Sequence, residues 1–379
     1  MNIMKELRTF VLYENILFIF RNISFSSTKV RILMFCALAA ETLLSVTNGV
    51  VSGYFYIFAH KTDLLYFYIA LGNSILFIFF ACYHSQLFKK LSICFDRNKN
   101  FVMNDSMYLK NFGRGRKFLV LILILYVVLE IAFAAQNSRY SRLKGHELVF
   151  SIGVIFQINA SIWHIRFLFE FIFMYSILYF MSEQLQCITR SVERKKTLMP
   201  LIYDPKKMDV SPKVDNQYLN EISQWSLAYT YLTEASNLFN RIFGMQMTIM
   251  VVSVIAYICI VLYATAITII LNIYETFSLI KFVLKLIIYL TQIFSLSRVA
   301  QRLLNNVDNL KRCLAKLLIE TLTDEESYRA TKDLLRLVSS RPIRIQAFGS
   351  ISVDMSLPPT CVMFFTSYTV IALQFNNVL

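Results

Sequence analysis

Leu357-Pro-Pro-Thr-Cys-Val-Met-Phe-Phe-Thr-Ser-Tyr-Thr-Val-Ile-Ala-Leu-Gln-Phe375 is an uncharged run long enough to cross the hydrocarbon of a bilayer, about 30 Å at ~1.5 Å per residue. Pro358 and Pro359 are tolerated in a helix's first turn and would break its interior, so they mark the start of a fresh helix. Six further stretches qualify by the same test. They run Ile32 to Phe58, Leu64 to Phe88, Phe118 to Ala135, Leu148 to Met181, Ile242 to Leu271 and Leu279 to Ser297. Hydrophobic residues make up 56% of the 379-residue chain and charged residues only 16%, which excludes an ordinary soluble domain. The fold class expected is therefore all-α: a polytopic membrane protein with seven transmembrane helices.

Charge sets the orientation. Of 38 Lys and Arg, four precede Arg31, eight lie from Lys89 to Lys117, eight from Arg190 to Arg241 and ten from Arg298 to Arg344. The intervening loops carry only Lys61, Arg139, Arg142 and Lys144. By the positive-inside rule the basic segments are cytoplasmic, which places the N-terminus inside and the C-terminus outside. The same alternation argues against nucleic acid as the partner of a +14 chain, because the charge forms no single patch. The apolar stretch Phe10 to Phe20 contains Glu14 and is followed by no small-residue cleavage site, so it reads as an interfacial helix. No disulfide is expected, since the short outer loops contain no cysteine.

Three regions are expected in the chain. Residues 1–297 form a six-span bundle with a ligand pocket in its outer half, 298–345 a cytoplasmic amphipathic anchor, and 346–379 a pore-lining seventh span. The fourth span is apolar for longer than a bilayer needs and should project into the cytoplasm. Arg190 to Tyr218, with Pro200, Pro205 and Pro212, reads as a linker. In the anchor, Leu303, Val307, Leu310, Leu314 and Leu317 alternate at spacings of four and three, a heptad seam that could face either another subunit or its own chain.

Enzymatic machinery is absent from the pattern. His60, His84, His146 and His164 have no metal spacing, and there is neither a glycine-rich phosphate loop nor a nucleophile elbow, so no catalytic residue, metal or cofactor is expected. Ionisable groups within spans carry functional hypotheses instead. Asn159, Trp163, Arg166 and Glu170 share one stripe of the fourth span. With Tyr257, Tyr263, Lys285 and Tyr289 they would line a half-polar aromatic pocket for a small organic ligand. The plainer alternative is that Arg166 and Glu170 pair within their helix, the lysines snorkel and the tyrosines form an interfacial belt. In the last span, Met363, Ser367, Val370 and Gln374 recur at four, three and four. Tyr368 lies about 120° from that stripe and is expected to face the bundle as a coupling residue. One helix encloses no pore, so a water path along the stripe requires several copies; otherwise Gln374 is an interfacial residue.

Ser367-Tyr368-Thr369-Val370-Ile371-Ala372-Leu373-Gln374-Phe375 resembles the TYhhhhhQF signature that closes insect gustatory receptors. Ser367 stands where Thr is usual, and Thr369 lies within the hydrophobic run. Phe348-Gly349 and Val353-Asp354 also look like the segment preceding the last span in that family, and related odorant receptors share the architecture while usually lacking the signature. The resemblance implies a tetrameric, ligand-gated, non-selective cation channel in the plasma membrane of sensory neurons. Gln374 and Phe375 would be its gate, the cytoplasmic helices its anchor, and a tastant its ligand. Its partners would be the tastant, permeant cations, membrane lipids and either identical or related subunits. Chain length points to bitter or other plant-derived compounds, with sugars as the alternative; a metabotropic receptor or a transporter is the competing class.

Overall fold

A computed structural model describes residues 15, 17, 19–23, 26–56, 61–98, 124, 128, 147–202, 212–270, 276–322 and 324–375. The proposed third span lies outside the described residues save 124 and 128, as does most of Phe10 to Phe20. Eight helices are described: α1 (Thr28–Tyr56), α2 (Lys61–Tyr83), α3 (Ser85–Arg97), α4 (Glu147–Ile202), α5 (Pro212–Ile270), α6 (Thr276–Glu320), α7 (Glu325–Ser340) and α8 (Leu357–Phe375). A two-stranded antiparallel hairpin, β1 (Gln346–Ala347) and β2 (Ile351–Ser352), joins α7 to α8.

The last helix begins and ends where the quoted run does. Helices α4, α5 and α6 have 56, 59 and 45 residues, so each runs well past the ~30 Å of hydrocarbon. Their apolar parts include Ile162–Lys195 and Tyr218–Tyr263, both long and apolar enough to cross a membrane. Helix α1 leaves Leu33, Leu43 and Val50 about 70% exposed, an arrangement stable only where the surrounding solvent is itself apolar.

Packing follows the patterns of the sequence. The seam Leu303, Val307, Leu310, Leu314 and Leu317 is buried within its own chain, along α4, which decides between the two readings of the heptad. Helix α6 continues from span into anchor without a break at residue 298. Asp324 caps α7 by accepting from the N–H groups of Glu326 and Ser327 at 3.3 and 3.2 Å, and Ser327, Thr331, Leu334 and Val338 turn inward at spacings of four, three and four.

Two features depart from expectation. The second span is bent by 64° between α2 and α3. From Ser85 onward the sequence is amphipathic, burying Phe88, Leu91, Cys94 and Phe95 while Lys89 and Lys90 stay exposed, and such a face cannot continue straight into lipid. The stretch taken as a linker is helical as far as Ile202 and again from Pro212. Pro212 opens α5, where proline costs no helical bond, whereas Pro200, in the last turn of α4, gives up one backbone bond just before that helix ends.

Candidate functional site

Of the predicted ligand set, Trp163, Arg166, Glu170, Tyr257 and Tyr289 are all buried, and Tyr263 is half-buried. The side chains of Asn159 and Lys285 lie outside the described residues. Tyr257 of α5 stacks on Tyr289 of α6 with centroids 5.1 Å apart, and His164 and Phe167 of α4 meet its ring edge-on at 5.6 and 6.1 Å. Trp163 packs against Ala70 of α2. Three helices thus converge on one aromatic layer.

Polar groups that the sequence reading passed over complete that layer. Ser253, one turn from Tyr257, donates to Asn73 Oδ1 of α2 at 2.9 Å. Gln292, one turn from Tyr289, is buried, and its Oε1 has no hydrogen-bond partner among the described residues. Asn73, Tyr257 and Tyr289 lie 12, 13 and 13 residues from the ends of their helices on one side of the bundle, about 18–20 Å along the axis. Unpaired amide capacity beside stacked aromatic rings suits a small ligand with both a ring and a polar substituent. Asn73 and Gln292 were readable only as polar residues inside apolar runs, a signal weaker than a charge.

Arg166 and Glu170 do not pair with each other. Arg166 donates to Glu41 of α1 at 2.5 Å and to Ser74 of α2 at 2.9 Å. Glu170 accepts from Arg21 at 2.7 and 2.6 Å, both side chains being fully buried. The Arg21 guanidinium also lies over the rings of Phe243, Phe173 and Phe88, at 4.8, 5.1 and 5.8 Å. These residues therefore act first as inter-element ties. A third tie lies on the anchor side, where Arg302 of α6 pairs with Glu183 of α4 and donates to Gln186 at 3.0 Å.

The last helix buries Leu357, Cys361, Phe365 and Thr369, one residue per turn, against the bundle. Met363, Ser367, Val370 and Gln374 lie on the exposed side, and the Phe375 side chain lies outside the described residues. Tyr368 does not face the bundle: it is 57% exposed and stacks on Phe364 at 6.1 Å. A period of four starting at Leu357 reaches Phe365 and Thr369, which leaves Tyr368 on the outer flank. The Cys259 thiol of α5 and the Phe365 carbonyl, 3.9 Å apart, mark the inner contact.

A profile of the 7tm chemosensory receptor family matches residues 81–377, which takes in every described helix from α3 onward. The chain belongs to that family, in keeping with the resemblance carried by Ser367 to Phe375 and with a multi-pass, non-enzymatic receptor. Among solved structures it is similar to the insect olfactory receptor OR5 from Machilis hrabei in complex with eugenol. That match has a TM-score of 0.67 at 14% identity, covering 92% of this chain and 91% of that one. A second structure of the same receptor gives 0.63 at 12% identity, covering 98% and 99%. No curated protein matches.

Proposed function

We propose that this protein is a gustatory receptor: a tastant-gated, non-selective cation channel of four subunits in the plasma membrane of sensory neurons, tuned to bitter or other plant-derived small molecules. The observation that carries the reading is the last helix. It ends on the gustatory-type motif Ser367 to Phe375, yet packs by one residue per turn and leaves Gln374 exposed on the far side. An amide facing lipid is costly, whereas the same amide facing a shared aqueous path is solvated. Four copies around an axis would place Met363, Ser367, Val370 and Gln374 along that path, with Gln374 and Phe375 as the gate.

The ligand would bind in the layer of Tyr257, Tyr289, Trp163, Asn73 and Gln292. That one solved structure similar in fold is a complex of an olfactory receptor with eugenol supports a small aromatic ligand for this chain. Preference for the open arrangement by several kcal/mol is what a ligand must supply to shift a mostly closed population. The test is expression of the chain alone in cells, with calcium imaging against sugars, alkaloids and glycosides. A response confined to alkaloids or glycosides supports the reading, and a response confined to sugars replaces the ligand class. Binding without current from purified protein in liposomes would refute a self-sufficient channel.

A further inference from the structure

The chain between α7 and α8 is bound along one face of α5. Tyr229 donates its hydroxyl to the Arg341 carbonyl at 2.9 Å, and Ser236 donates to the Arg344 carbonyl at 3.4 Å. Asn240 makes a two-way clamp: its Nδ2 donates to the Arg344 carbonyl at 2.8 Å, and its Oδ1 accepts from the Gln346 N–H at 3.1 Å. Four residues on, the Gly244 carbonyl accepts from the Phe348 N–H at 3.2 Å. Tyr229, Ser236, Asn240 and Gly244, at spacings of seven, four and four, form a single helical stripe.

Gly244 allows a close approach of the hairpin to α5. A Cβ there would stand 3.3 Å from the Gln346 carbonyl oxygen and 3.7 Å from the Phe348 nitrogen. The hairpin turn held against it places both Phe348, at φ +50°, and Gly349, at φ +73°, in the left-handed region. Only the second suits its residue; a bulky side chain in the left-handed region is unfavourable, and Phe348, 63% exposed, gains little burial in return. Beyond the hairpin, Asp354 accepts from the N–H and hydroxyl of Ser356, which hold its carboxyl below the usual range, and α8 begins at Leu357. Farther along, α5 presents Ser253 and Tyr257 to the aromatic layer.

We propose that Asn240 and Gly244 are positioning residues for gating, lashing the α7–α8 connection to α5 so that displacement of α5 at Tyr257 moves the start of the pore helix. This rests on the channel reading above. Weakening and strengthening the tie must then shift opening in opposite directions, whichever gating state the structure represents.

Three variants and the unmodified chain, purified full-length and reconstituted in planar phosphatidylcholine–phosphatidylglycerol bilayers, test this, first without any ligand. Spontaneous unitary openings at fixed voltage are recorded, and hydrogen exchange over 341–357 reports the tie independently. Asn240→Ala should speed exchange at Gln346 and change open probability about tenfold, as the loss of two hydrogen bonds predicts. Asn240→Asp keeps the acceptor for the Gln346 N–H but sets a carboxylate oxygen against the Arg344 carbonyl, so it should shift exchange and open probability in the same direction as Asn240→Ala. Phe348→Asn, at an exposed position where Asn accepts the left-handed conformation, should slow exchange and move open probability the other way. Altered exchange with open probabilities unchanged to within about twofold, or shifted in the same direction by Asn240→Ala and Phe348→Asn, overturns the coupling alone. Silence of all four proteins, both alone and after addition of the sugars, alkaloids and glycosides of the imaging panel, overturns the channel reading and the coupling with it.

Discussion

Arg21 and Glu170 show what a buried charge does in this protein. Removing two ions from water costs several kcal/mol each, and only close pairing and ring contacts offset it. Breaking such a pair strands the surviving charge. Glu170→Ala should therefore lower stability by ~3–5 kcal/mol, while the double change Arg21→Met with Glu170→Leu should recover most of it. Thermal unfolding of detergent-purified protein, followed by a thiol-reactive dye, measures both; equal losses in single and double variants would contradict the account. Arg166 belongs to the same class. Arg166→Ala leaves Glu41 without its guanidinium partner, so its effect on the dose–response has to be read after correcting for surface expression. Within the proposed pocket, Tyr257→Ala should remove the stacking partner of Tyr289 and raise the half-maximal concentration of an activating compound about tenfold or more, as loss of a buried aromatic contact predicts. Calcium imaging at matched surface expression checks this.

At the scale of elements, α6 is where the heptad reading is tested. Leu310 and Leu314 are fully buried against the same chain, so either Leu→Ala change should cost about 2–5 kcal/mol, measurable as a fall in unfolding temperature. Lys316, on the exposed side, should tolerate Ala within about 0.5 kcal/mol. A seam shared only between subunits would instead weaken assembly without lowering the unfolding temperature of the protomer. Helix α8 makes the functional counterpart. Gln374→Ala should alter unitary conductance or opening while leaving ligand binding to purified protein unchanged, because the residue stands on the side of α8 away from the bundle. A change in binding alone would remove Gln374 from the proposed pore.

For the whole molecule, the basic segments predict orientation. An epitope before Met1 should be reached by antibody only after permeabilisation, whereas one after Leu379 should be reached on intact cells. The opposite pattern would restore a G-protein-coupled topology. The far parts of α4, α5 and α6, together with α7, form one continuous core with the spans. Under the proposed gating, motion at the aromatic layer would travel through packed helices rather than across a flexible domain joint, by way of the ties of α5 to the α7–α8 connection.

The apolar runs that define spans are local, so the sequence by itself determined the membrane class, the length of the fourth helix beyond what a bilayer needs and the limits of Leu357 to Phe375. The heptad seam was legible for the same reason, although its partner was not. Partners are decided by long-range packing: Glu170 meets an arginine 149 positions earlier in the chain, and nothing in the i, i+4 spacing of Arg166 and Glu170 reveals that each prefers another element. The bend after Tyr83 arises where a wet helical face must leave the lipid and settle on α5. The outward position of Tyr368 follows from which residue of α8 first touches the bundle, and that contact exists only once α5 is in place.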